Sequence, residues 1–67
     1  MNIGKLKGKI REKNMTMGDF ARAIGISISS LYRKMTMEAQ FTREEIENAS
    51  NVLELTNDEL LAIFFAD

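Results

Sequence analysis

One local pattern occurs four times in this 67-residue chain: an apolar residue, then Thr or Ser, then a second apolar residue four positions after the hydroxyl. The instances are Met15-Thr16…Phe20, Ile26-Ser27…Leu31, Phe41-Thr42…Ile46 and Leu55-Thr56…Leu60. A Thr or Ser in extended conformation at a helix start accepts a backbone N–H that the helix itself leaves unpaired. The flanking apolar pair clamps the chain as it enters the helix. Three of the four instances place an acid three residues after the cap: Asp19, Glu45 and Glu59. A Glu there reaches back to the N–H of the cap residue and completes a capping box. Asp19 is shorter and fits the box less well, but its charge suits the positive helix end. Four such starts in so short a chain predict an all-α domain with tight turns.

Apolar residues recur at helical spacing throughout, and proline is absent. The reading is five short helices over roughly 2–13, 17–24, 28–35, 43–54 and 57–65. Their inward residues are expected to be Ile3, Leu6 and Ile10; Phe20, Ala21 and Ile24; Leu31 and Met35; Ile46, Ala49 and Leu53; and Leu60, Leu61, Phe64 and one further apolar residue. Gly4 and Gly8 weaken the first helix, by about 1 kcal/mol each relative to Ala.

The length allows one small domain over 1–67 with a modest core. Cysteine and histidine are both absent, which excludes disulfide staples and leaves no good zinc site. No metal or other cofactor is expected. Stability must come from helix packing, oligomerisation or both. An enzyme is not expected, for want of His, Cys, a glycine-rich phosphate loop or an acid in an apolar setting. The longest apolar run, residues 60–66, is too short to span a membrane. No apolar stretch follows the N-terminal lysines as in a secretory signal, so a cytoplasmic protein is expected.

The net charge of −1 conceals an asymmetry. Residues 1–35 carry +6, from Lys5, Lys7, Lys9, Arg11, Lys13, Arg22, Arg33 and Lys34 against Glu12 and Asp19. Residues 36–67 carry −7. The basic half either meets a polyanion or is neutralised by the chain's own acidic half.

Within residues 17–36 two short helices meet at Gly25, where a left-handed backbone is expected. Ala21, one turn earlier, lets the following helix cross closely. The stretch Met17 to Thr36 resembles the helix-turn-helix of Cro/repressor-like (lambda repressor-like, XRE-type) regulators, through Ala21, Gly25, Ile26, Ser27 and Leu31. A basic helix before it and two helices after it extend the resemblance over nearly the whole chain. The C-terminal stretch from Phe41 to Phe65 is similar to small repressor and Cro proteins of phages from Gram-positive hosts. Two positions depart from the family pattern. Met17 stands where Gln commonly touches a phosphate. Lys34 stands where an apolar buried residue is usual, with Met35 available to supply the buried group.

The resemblance implies a small transcriptional regulator that binds duplex DNA sequence-specifically, with the third helix in the major groove. It makes Ile28, Ser29, Tyr32 and Arg33 the base-contacting candidates. Ile28 is the sharpest of these. An exposed apolar residue costs solubility unless it meets something apolar, such as a thymine methyl; otherwise it packs on helix 1 or a neighbour. Arg33 suits a guanine or a phosphate. Ser27, Lys34, Arg22, Lys9 and Lys13 are the phosphate-contacting candidates, with Ser27 chiefly a cap.

One such domain buries little surface on DNA, so a homodimer on a pseudo-palindromic operator is expected. The run Leu60 to Phe65 is apolar around more than one helix face. Leu61, Phe64 and Phe65 are therefore the candidate dimer interface, unless the last helix only seals the core. The rival reading is a helix-turn-helix fold that binds protein, as an antirepressor or antitoxin-like adaptor does, and not DNA.

Overall fold

Each of the four hydroxyls in the repeated pattern caps a helix in the computed structural model, which describes residues 1–66. The helices are α1 (Ile3–Glu12), α2 (Met17–Ala23), α3 (Ile28–Met35), α4 (Arg43–Leu53) and α5 (Asn57–Phe64), with no strand among the described residues. Thr16, Ser27, Thr42 and Thr56 each accept the N–H three residues on, at 3.0–3.1 Å. Glu45 and Glu59 close capping boxes, and so does Asp19, whose Oδ2 accepts the Thr16 N–H at 3.0 Å. The short Asp side chain reaches after all. Asn2 caps α1 through its own Oδ1, on Lys5 N at 3.0 Å.

The first four helices also end alike. Asn14, Gly25, Met37 and Glu54 are all left-handed, at φ 57°, 83°, 69° and 53°. After each, the next backbone N–H reaches five residues back: Met15 to Ile10, Ile26 to Ala21, Glu38 to Arg33 and Leu55 to Ser50, at 2.9–3.1 Å. This closure satisfies carbonyls that the helix end would otherwise leave unpaired. Three junctions are thus copies of one three-residue unit: Asn14-Met15-Thr16, Gly25-Ile26-Ser27 and Glu54-Leu55-Thr56. The left-handed residue stops one helix and the hydroxyl starts the next. The apolar residue between them packs against the core in each case.

The core comprises Leu6 and Ile10 of α1, Phe20 and Ala21 of α2 with Ile24 just after it, Leu31 and Met35 of α3, Ala49 and Leu53 of α4, and Ile63 of α5. Ile3, Ile46, Leu60 and Phe64 are half-buried around it. One expected core position is not there: Leu61 is 56% exposed, and Ile63 is the fully buried residue of α5. A short helix that is apolar on most sides can be rotated either way, and packing against α1 chose Ile63. The chain ends are tied together, since Asn2 N donates to Ile63 O at 2.7 Å and the Met1 ammonium to Ala66 O at 2.9 Å. No helix of the described residues is long and apolar enough to cross a membrane.

Candidate functional site

The outer face of α3 carries two side-chain columns. Ile28 and Tyr32 are one turn apart and so share one column; they are 46% and 48% exposed. Ser29 and Arg33, also exposed, form the second. Leu31 and Met35 are buried on the face opposite Ser29 and Arg33, with the Ile28 and Tyr32 column at its edge. The four base-contacting candidates are therefore brought together on one rigid surface. Ile28 does not fold back into the core. It leans toward the start of α2, where a methyl added at Gly18 would lie 3.9 Å from Ile28 Cδ1. Arg33 is loosely attended by Glu38, at 3.9 Å. Ser27 Oγ is engaged as the α3 cap.

The cations are divided by the tertiary structure. Lys34 Nζ lies 2.5 Å from Glu45 Oε1, with the Gln40 carbonyl at 3.3 Å and the Phe41 ring beneath it. Its side chain is only 12% exposed. Lys34 is thus mostly covered, with its charge compensated on the spot. Lys9 bonds Glu59 and also meets Glu12 at 3.3 Å. Lys13 meets Glu54 at 3.3 Å. Three of the expected phosphate-contacting residues are thus tied to carboxylates, in each case one from the acidic half. Arg22 is highly exposed beside Asp19, at 3.6 Å. Lys5, Lys7 and Arg11 are exposed and have no ion pair among the described residues. The sequence offered no means of separating them from Lys9 and Lys13, because the partners lie far along the chain.

These pairs set the acid–base properties. The Lys9 ammonium and then the Thr56 N–H hold the Glu59 carboxyl at about 2, well below its ordinary 4.5. Glu59 in turn raises Lys9. Burial pushes Glu45 up, but the bonds from Lys34 and Thr42 outweigh it and its pKa is lowered. Asp19 is lowered, chiefly by the backbone N–H of Thr16.

A second set of exposed apolar residues lies outside α3. Leu61, Phe65 and Met37 are 56%, 61% and 66% exposed. Met37 and Phe65 line one shallow pocket with Phe41 and Phe64. Phe64 belongs half to the core: its ring meets Phe41 edge-on at 5.4 Å between centroids. Of the three residues expected at a dimer interface, Leu61 and Phe65 are open and Phe64 is mostly committed within the chain. No group of three acidic or other metal-ligating side chains among the described residues is arranged to hold a metal ion.

Among known protein families, one described as "Protein of unknown function (DUF739)" matches residues 1–67, the whole chain. No curated protein and no solved structure matches it.

Proposed function

The chain belongs to the DUF739 family, and we propose that it is a sequence-specific duplex-DNA-binding regulator of the lambda-repressor-like class. In this reading α2 and α3 form the helix-turn-helix and α3 lies in the major groove. The observation that carries the reading is the outer face of α3. Ile28, Ser29, Tyr32 and Arg33 stand exposed side by side on a helix whose other face is locked into the core. Base edges are read by side chains presented in this way. Lys7, Arg11 and Arg22 are the cations left for phosphates, with Lys5 beside them in α1. Leu61 and Phe65, extended by Met37, form the surface through which two copies meet on an inverted repeat.

One observation favours the rival, a protein-binding module of the same fold. Lys9, Lys13 and Lys34 are spent on Glu59, Glu54 and Glu45, which thins the positive field expected of a DNA binder.

Selection from a random duplex pool separates the two, using wild type and an Ile28→Ala, Arg33→Ala double variant. Enrichment of an inverted repeat by wild type alone, with affinity falling steeply with salt, supports the regulator. No enrichment even at low salt overturns it in favour of the protein-binding module.

A further inference from the structure

We infer that α3 recognises the C5-methyl groups of pyrimidines in the major groove, with Ile28 and Tyr32 making the contact. This rests on the DNA-binding reading and narrows what that site selects.

The inference begins with what α3 lacks. Residues 28–35 read Ile-Ser-Ser-Leu-Tyr-Arg-Lys-Met, with no Asn, Gln, Asp or Glu. Asn and Gln are the side chains that pair with adenine's N6 and N7, and Asp and Glu are those that accept from cytosine's N4. Neither kind of readout is available on this helix. Lys34 is held by Glu45 and the Gln40 carbonyl. The Ser29 hydroxyl donates or accepts and so discriminates little. What remains is Arg33, suited to guanine, and the apolar column of Ile28 and Tyr32. The thymine methyl is then the feature by which α3 can best tell an A·T pair from the others.

The column is built for that contact. Ile28 is branched at Cβ, which restricts its χ1, and its Cδ1 lies near Gly18 of α2, where an added methyl would be 3.9 Å away. It is an apolar knob that loses little freedom on contact. Tyr32, one turn on, offers a flat ring with a polar tip that can stay wet. Both are about half exposed, leaving open the surface that a methyl would cover.

Thymine and 5-methylcytosine place a methyl at the same position, so either base is a possible source. The test uses the duplex enriched by wild type and remakes it in three forms. In one, deoxyuridine replaces thymine. In the others, a G·C pair replaces a sensitive A·T pair, with cytosine either plain or 5-methylated. Wild type is expected to lose about fourfold in affinity for each contacted thymine methyl removed, while in Ile28→Ala the loss at the thymine that Ile28 covers disappears and the loss at the thymine that Tyr32 covers remains. A gain from 5-methylation makes the methyl itself the ligand from either base; its absence, with deoxyuridine loss intact, leaves thymine as the source. Equal wild-type binding of thymine and deoxyuridine duplexes overturns the inference and leaves DNA binding standing. Undiminished deoxyuridine sensitivity in Ile28→Ala overturns the assignment to Ile28. Failure to enrich any duplex removes the inference together with the reading beneath it. Helical circular dichroism of Ile28→Ala, an exposed position, confirms that the variant is folded.

Discussion

Lys34 Nζ lies 2.5 Å from Glu45 Oε1, the same oxygen that accepts the Thr42 backbone N–H at 2.9 Å. One carboxylate therefore caps α4 and pins the end of α3 to it. Glu59 repeats the arrangement at the start of α5, taking the Thr56 N–H on one oxygen and Lys9 of α1 on the other. Two capping boxes thus serve as the clamps between the basic and acidic halves of the chain.

Removing the Lys34 ammonium leaves Glu45 mostly covered and short of a partner. Lys34→Ala is expected to destabilise the fold by about 2 kcal/mol. Lys34→Met should cost less, because it keeps the stem that packs over Phe41. Denaturant unfolding of the two variants checks the order, and a neutral Lys34→Ala would remove the clamp from the account.

The carboxylates also fix the behaviour in acid. Glu59 is held at about 2 against an ordinary 4.5, so its contribution is complete above pH 4.5 and is lost as the pH falls through that interval toward 2. Asp19 and Glu45, both lowered, act in the same direction. Lys9 is raised above 10.5, so its contribution is present below that pH and is lost only in stronger alkali. Urea midpoints measured between pH 6 and 2 should fall, and Glu59→Gln should flatten the fall. An unchanged acid limb in that variant would contradict the assignment.

The repeated junction makes a comparative prediction. Gly25 at φ 83° has open space where a Cβ would go, so Gly25→Ala is penalised by the backbone alone, by about 1–2 kcal/mol. Glu54→Gly relieves the same penalty at φ 53° and, the exposed pair with Lys13 contributing little, is expected to stabilise by about 0.5–1 kcal/mol. Asn14→Gly should gain less, since Asn tolerates this conformation better than most residues. Thermal unfolding of the three variants should give this order.

Leu61 and Phe65 are exposed, whereas Leu53 is fully buried. Leu53→Ala should cost about 2–5 kcal/mol. Leu61→Ser and Phe65→Ser should leave monomer stability within about 0.5 kcal/mol while weakening association of two copies on an inverted-repeat duplex. Sedimentation with and without DNA measures this, and undiminished pairing in both variants would place the interface elsewhere.

Much of the fold was legible because its signals are local. The caps at Thr16, Ser27, Thr42 and Thr56, the boxes closed by Glu45 and Glu59, and the left-handed Gly25 all depend on residues within a few positions of one another. Asn2 was equally local; extending α1 back to residue 2 concealed its role as a cap. The left-handed Met37 and Glu54 gave no sign, because neither residue type favours that conformation.

The candidate site divides in the same way. That Ser29 and Arg33 face outward follows from helical spacing once Leu31 and Met35 are set inward, whereas Ile28, three residues before Leu31 and seven before Met35, shares their stripe by spacing, and only the tertiary structure leaves it half exposed. Which cations remain open was decided by folding. Lys5 and Lys9 are alike as residues of one helix, but only Lys9 meets Glu59, a partner at the other end of the chain. The rotation of α5, with Ile63 in and Leu61 out, was also a tertiary outcome. Local chemistry fixes where a helix starts and stops, since cap and backbone are held together by the chain itself. Charge pairing and the choice of buried face depend on which surfaces the packed helices bring together, and no local spacing encodes that.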